Sequence, residues 1–361
     1  MWSILLCFIA LICNINCMKS INEPKSWKYR CLSNTINQLN TFSAISAISS
    51  LTTLASSLPV KAVVESNNNI NNKLGKPFPL NSNYFPQTSL SKRCYDVTES
   101  GAEELKIGIQ SSDILYPSYF EGTWDSSSQL VQVYAPLGDE IFGKAAKIAA
   151  EKEKDMNTIL NYKSKFKSIP SSIKENSNNN GNVIADRLYN VESIAIASMG
   201  GEKSIIDDKQ IDNNLANRVS LKVSPEQSKG QIFDIIITNT DRQFGIPANG
   251  YFECLERCYQ EVAPVVSREI ELTQGKPPPL VKEIETITLY HKIKSNDDGG
   301  KNNDNNYDSS EIGDIIVARQ RTATYLSPYD ARYKLSFARD RRVESVAVDV
   351  RFYDVMYKRI R

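Results

Sequence analysis

The chain has 361 residues, with 43 Lys and Arg against 42 Asp and Glu and a single His. A near-neutral balance argues against nucleic-acid binding, which calls for a basic excess or stripe. Four of the seven Cys (Cys7, Cys13, Cys17, Cys31) fall in the first stretch of the chain, so one His and three scattered Cys are left, too few for a zinc centre.

Residues 1–62 read as a multipartite targeting segment. Met1–Cys17 is a short apolar run of the secretory-signal kind, and a signal anchor is its alternative. Met18–Thr41 carries Lys19, Lys25, Lys28 and Arg30 among Ser, Asn and Thr with one acid, Glu23, which is transit-peptide composition. Phe42–Val64 is a second apolar run that ends near Val60-Lys61-Ala62, a small-residue processing site. No Arg-Arg pair precedes it, which favours a Sec-type route over a twin-Arg one. Signals in series predict import through several membranes into a plastid and on to the thylakoid lumen. The competing reading of Phe42–Val64 is a spanning helix, which its many Ser and Thr disfavour. Removing 1–62 leaves 38 basic and 41 acidic groups, a slightly acidic body.

Residues 63–115 read as a flexible, Asn-, Pro- and Ser-rich lead-in followed by a strap. The domain proper is expected over 116–358. It opens with a turn at Tyr116-Pro117-Ser118-Tyr119 and a Gly122-x-Trp124 pair at the mouth of the first strand. Glycine there lets the chain bend into a small barrel, and the indole plugs one end. Residues 126–134 then alternate, but neither face is purely apolar, which fits a barrel with a partly polar interior. Phe142–Tyr162 is rich in Ala, Lys and Glu and predicts a surface helix inside one insert over 144–182.

Strands are predicted at 183–190, 217–223 and 230–238, the last two joined by a hairpin turn at 224–228. Another segment begins over 241–247. Asn190–Met199 and Tyr251–Val266 each leave helix or strand open. Further strands are expected at 266–272, 280–293, 315–326 and 343–358, with a second insert at 295–311. Short strands without a βαβ repeat mean a mainly β fold: an antiparallel, calycin- or lipocalin-like β-barrel with one helical insertion.

Six separated pieces resemble, in the same order, a family of uncharacterised proteins of cyanobacteria and plastids defined only by a domain of unknown function. They are YPSYFEGTWDSSSQLVQVYAPLG (116–138), VIADRLYN (183–190), LKVSPEQSKGQIFDIIIT (221–238), DRQF (241–244), KEIETITLY (282–290) and TATYLSPYDARY (322–333). The inserts depart from the family's more compact pattern. The resemblance implies a plastid address and implies no activity. In Gly-x-Trp barrels the plug is commonly covered by a basic residue of the last strand, and Arg351 is the candidate here through cation–π stacking.

The candidate binding residues are Trp124, Asp186, Arg187, Arg242, Tyr325 and Arg351. Asp186-Arg187 could anchor a ligand carboxylate, since Arg makes bidentate contacts, or fasten a strand end as a structural pair; the second reading is favoured. Arg242 has the same status. Tyr325 could line a cavity mouth or simply pack. Glu283 and Glu285, two apart in a strand, read as a solvated face rather than as acid/base machinery. His291, near a hairpin tip, offers no evident catalytic partner, and Met199-Gly200-Gly201 lacks the Lys-Ser/Thr of a phosphate loop. Cys254 and Cys258 share one face and read as buried small hydrophobes, with a disulfide to Cys94 the minority alternative. No particular cofactor is indicated. The sequence therefore favours a noncatalytic protein that holds an apolar small molecule or assists a photosynthetic membrane complex. A lumenal pigment-modifying enzyme or chromophore lyase is the alternative.

Overall fold

The computed structural model describes residues 82–96, 113–169, 181–199, 201, 205–211, 217–224, 230–275, 277–293, 314–325 and 346–360. The targeting segment and the insert at 295–311 lie outside them.

Eleven strands form one antiparallel sheet: β1 (Tyr116–Pro117), β2 (Gly122–Tyr134), β3 (Ile159–Ser168), β4 (Gly181–Ala185), β5 (Ile205–Ile211), β6 (Arg218–Val223), β7 (Phe233–Gly245), β8 (Tyr251–Pro264), β9 (Leu280–Ile293), β10 (Ile315–Tyr325) and β11 (Asp349–Arg359). Their order is β1-β4-β3-β2-β11-β10-β9-β8-β7-β6-β5. The mainly β, barrel-like reading therefore stands. The sheet curls as a half-barrel, with β1 and β5 at its two ends among the described strands.

Helix α4 (Arg187–Met199) is what the two arms close upon. Helices α1 (Ser89–Tyr95), α2 (Asp139–Phe142), α3 (Lys144–Asp155) and α5 (Arg268–Gln274) are the others. Val191, Ile194, Ala195 and Met199 form the buried stripe of α4, at helical spacing. It packs on β3 of one arm and on β5 and β6 of the other. It also completes the hydrogen bonding of β3 beyond the short partner β4. The Lys165 amide donates to Asn190 Oδ1 at 2.7 Å, Asn190 Nδ2 donates to the Lys165 carbonyl at 3.0 Å, and the Lys163 amide donates to Ser193 Oγ at 2.8 Å. An exposed strand edge is thereby covered by side chains instead of by a further strand.

One hydrophobic cluster runs from Trp124, Tyr162 and Phe166 on one arm to Val219, Leu221 and Ile235 on the other, with α4 among them, so the face these residues share is the concave one. Two bulges keep it continuous. Val131 of β2 is passed over where Phe352 pairs with Gln132 and Tyr353 with Leu130. Thr240 of β7 is passed over where Asn239 pairs with Cys258 and Asp241 with Arg257. Each extra residue flips the alternation beyond it. Hence Val133 joins the concave core while Val131 packs on the convex cluster around Val350 and Phe352.

Several expectations are corrected. The single helix over Phe142–Tyr162 is two helices broken at Gly143, whose φ of 92° is open to glycine, and it stops at Asp155. The stretch 144–182, read as one insert, contains β3, a central strand. Leu160, Tyr162, Ser164 and Phe166 point inward while the lysines between them face out. Three closely spaced lysines, Lys163, Lys165 and Lys167, give β3 the look of a surface, although a two-residue alternation is also what a half-buried strand shows. Residues 230–238 and 241–247 are one bulged strand, β7. The strand expected over 266–272 is instead α5, with Glu269 and Glu271 in its first turn, where the helix dipole favours acids. Tyr251–Pro264 resolves as strand, and Arg187–Met199 as helix.

Candidate functional site

Trp124 is fully buried at one end of the concave face, and its indole Nε1 donates to the Phe120 carbonyl at 2.7 Å. The plug expected from the Gly-x-Trp pair is thus in place. The basic residue over it is Arg359, not Arg351: the Arg359 guanidinium stands 4.4 Å from the ring centroid. The ladder gives the reason. Arg359 pairs with Trp124, whereas Arg351, eight residues earlier on β11, pairs with Val133 near the other end of β2. Arg351 instead lies 5.6 Å from the centroid of the Phe142 ring and donates from Nε to Asp349 at 3.0 Å.

Above the plug the interior is aromatic, with Tyr116, Phe120, Phe166, Phe252 and Tyr290 in mutual edge and tilted contact. Farther along it changes character. Arg242 of β7 pairs with Glu256 of β8, Glu256 with Thr286 of β9, Thr286 with Thr322 of β10, and Thr322 with Arg351 of β11. One rung of the ladder therefore carries five polar side chains across five adjacent strands, and all five are buried. Same-face neighbours on adjacent strands stand about 5 Å apart, so the five side chains form a belt. Gln320 lies one rung to one side of it, on β10, and Gln260 lies two rungs to the other, on β8.

The charges in the belt are matched. Arg242 donates from Nε to Glu256 at 3.3 Å and from Nη1 to Asn217 Oδ1 at 2.5 Å. Burial, and then the charge of Arg187, lower its pKa to about 10. Arg187 in turn is paired with Asp113. The uncharged groups are not matched. Thr286 Oγ1, Thr322 Oγ1, both amide atoms of Gln260 and of Gln320, and Arg242 Nη2 have no hydrogen-bond partner among the described residues. Buried polar atoms are almost always satisfied by protein, water or ligand. An electroneutral surface carrying open donors and open acceptors is suited to a neutral hydrogen-bonding group.

The residues singled out from sequence scatter. Arg242 and Arg351 lie at the two ends of the belt, and Arg187 is close enough to Arg242 to act on its charge. Asp186 and Arg187 are not paired with each other. Asp186 faces Lys167 at 3.8 Å, and its carbonyl accepts the Asn190 amide at the start of α4. Tyr325 is on the convex face with Ala323 and Phe352. Glu285, read as part of a solvated face, is fully buried there. Cys254 and Cys258 are free thiols on the concave face, and Cys94 is a buried free thiol on the convex one. His291 stacks on Tyr251 at 4.2 Å, and its Nδ1 lies 3.1 Å from the Tyr84 hydroxyl. No group of His, Cys, Asp and Glu fit to hold a metal occurs among the described residues. Sequence reasoning missed Glu256, Gln260, Thr286, Gln320 and Thr322. Their one visible sign is the mixed polarity of strands in which both faces turn out to be buried, above all β10.

A family model described as Domain of unknown function (DUF6816) matches residues 108–355. No curated protein matches the chain, and no solved structure matches it.

Proposed function

The chain belongs to the DUF6816 family, and we propose that it is a noncatalytic binding protein whose concave face holds a small amphiphilic molecule. The observation that carries this reading is the belt of buried hydroxyls and amides that have no partner among the described residues, around Thr286, Thr322, Gln260 and Gln320. An empty polar belt costs stability at every unpaired atom, so a carbonyl- or hydroxyl-bearing group placed against it would gain what those atoms lack. Cys254, Cys258 and Ile284, on the same face, offer an apolar surface to the remainder of the ligand. The apolar ligand expected from sequence thus becomes one with a neutral polar head. Barrels of this general kind hold a single small molecule between their walls.

The address we infer is a plastid, on to the thylakoid lumen, supported by the signal, transit and second apolar runs in series over 1–62. Among the described residues no helix is long and apolar enough to cross a membrane. Assistance to a photosynthetic complex, with or without the ligand, belongs to the same proposal.

Two experiments test it. The mature protein, purified from its own host, should carry a small molecule that an absorbance spectrum and native mass spectrometry detect. Recovery of the bare polypeptide mass alone would count against ligand binding. A fluorescent fusion of the full chain should follow the plastid, and deletion of Phe42–Val64 should leave it in the stroma. Secretory or cytosolic signal with the presequence intact would end the plastid reading.

A further inference from the structure

The concave belt carries more open hydrogen-bonding atoms than one polar group can meet. On the convex face, buried charge is matched by side chains: Glu285 accepts from Arg93 Nη2 at 2.5 Å, Arg257 Nε at 2.8 Å and Arg321 Nη1 at 3.1 Å. On the concave face, uncharged atoms are left over. Among the described residues, Gln260 Nε2, Gln320 Nε2 and Arg242 Nη2 are donors without partners, and Gln260 Oε1, Gln320 Oε1 and Asn239 Oδ1 are acceptors without partners. The hydroxyls of Thr286 and Thr322, equally unmet, can do either. All six residues are more than nine-tenths buried. Both atoms of each glutamine amide are open, so exchanging its nitrogen and oxygen leaves the count the same.

The register spreads these atoms over a patch. Thr286 faces Thr322 directly, and Gln320 is next to Thr322 on the same face of β10. On the other side Arg242 faces Glu256, and Asn239 faces Cys258, the neighbour of Gln260 on the same face of β8. Gln320 is level with Thr288 of β9, and Gln260 with Lys282, so the two glutamines stand two strands and six residues apart. Their backbones are separated by about 10 Å across the strands and about 20 Å along them. Side chains on the concave face of a curled sheet converge, which shortens the gap between their tips.

This patch excludes the simplest head groups. One carbonyl or one hydroxyl reaches one side of it only, and a carbonyl has no proton for the open acceptor oxygens. An ammonium only donates and a carboxylate only accepts. Either would also bring a charge to a surface whose ion pairs, Arg242–Glu256 at 3.3 Å and Arg351–Asp349 at 3.0 Å, are already matched. A run of hydroxyls meets every demand, because each donates once and accepts twice. We propose that the polar head of the molecule held on the concave face is a saccharide, neutral and about two rings long. The inference rests on the ligand-binding reading above and specifies its head group.

Octyl maltoside and octyl lactoside are the probes, two neutral disaccharide heads on one short tail. They are added below their micelle concentrations to protein produced without its ligand. At least one should raise the melting temperature in a saturable way and show one site by calorimetry. Octanol, with the same tail and a single hydroxyl, should bind on the order of a hundredfold more weakly. Gln260→Leu and Gln320→Leu each remove an open donor and an open acceptor. Each should leave the free protein folded and weaken the disaccharide probe roughly tenfold; methionine at the same positions serves if leucine does not fold. The molecule carried by protein from its own host should release a neutral sugar on acid hydrolysis. Octanol binding as tightly as both disaccharides, affinity unchanged in either glutamine variant, or a host-derived molecule that releases no sugar would overturn the saccharide head and leave an amphiphile with a smaller polar group. Free maltose or lactose binding as tightly as its octyl glycoside would support the head and overturn the apolar tail. Bare polypeptide from the host, with no response to any probe, would overturn both readings.

Discussion

Arg359 and Trp124 are direct partners across β11 and β2, and the guanidinium of one lies 4.4 Å from the ring centroid of the other. The same guanidinium donates to the carbonyls of Tyr119, at 2.6 Å, and of Glu121, and Arg359 Nε donates to Asp314 at 3.0 Å. One side chain thus covers the indole and ties down the turn that leads into β2. Gly122 leaves room for it: the residue has a φ of 113°, and a Cβ there would stand 3.0 Å from Arg359 Nη1.

Trp124→Ala should destabilise the domain by about 3–5 kcal/mol, the range for a buried aromatic. Arg359→Ala should cost on the order of 1 kcal/mol or somewhat more, from lost stacking and lost carbonyl contacts. The double variant should fall short of the sum, because both changes remove one contact. Arg351→Ala should add to Trp124→Ala without coupling, since the two residues lie at opposite ends of β2. Urea unfolding of the set measures this. Coupling of Trp124 to Arg351 but not to Arg359 would contradict the ladder.

Asp354 faces Arg319 at 2.8 Å, and burial, only partly opposed by Arg319, raises its pKa from 3.8 to about 7. A carboxyl whose folded pKa lies above its unfolded one binds its proton more tightly in the native state. The stability it contributes is full below the unfolded value and is lost as pH rises through the folded value. The stability of wild type relative to Asp354→Asn should therefore decline between about pH 4 and 7 and level off above. Denaturant unfolding across that range gives the curve. A relative stability that rises over the same interval would mean that Asp354 is held ionised by Arg319.

The two arms of the chain were not equally legible. Gly122-x-Trp124 and the alternation of β2 announce themselves because β2 has one wet and one dry face over much of its length. β10 does not, since it is buried on both faces and its Arg319, Gln320, Arg321 and Thr322 look solvent-facing until the cross-strand partners are known. Glu285 misled for the same reason: a carboxylate in a strand reads as exposed, and the arginines that allow its burial come from 93, 257 and 321. The last strand as expected stops at 358, so Arg351 is the arginine it offers on that face, while Arg359 lies one residue beyond it and is the one that pairs with Trp124. Only the register separates them, and register depends on bulges such as that at Val131, which leave no clear mark in a single sequence.

The correction at β3 changes what may be removed. Replacing 163–182 with a Gly-Ser loop would delete Ser164 and Phe166 from the concave core together with the backbone that Asn190 and Ser193 satisfy. Such a variant should fail to give a cooperative thermal transition. Replacing only 171–180, or 295–311, should change stability little, because each doubling of loop length adds only about 0.6 kcal/mol of closure cost. A cooperative, wild-type-like transition after loss of 163–168 would show that β3 is dispensable.

Thr322→Val and Thr286→Val test the belt, because the expected sign depends on what faces it. Both hydroxyls are buried and lack a partner among the described residues. In protein produced without its ligand, valine relieves a buried unpaired hydroxyl that costs about 1–3 kcal/mol, less whatever an ordered water restores. Each variant should then be as stable as wild type or more so. In protein isolated from its own host the outcome should reverse. The hydroxyls would be bonded to the bound head group, so each valine should lower the melting temperature and strip the small molecule from the native mass spectrum. Cys258→Ala, a buried position on the same face, should lower stability in both preparations through the cavity it leaves. Parallel behaviour of the threonine variants in the two preparations, with no species lost, would mean that the belt is met by water alone and that the ligand reading is wrong.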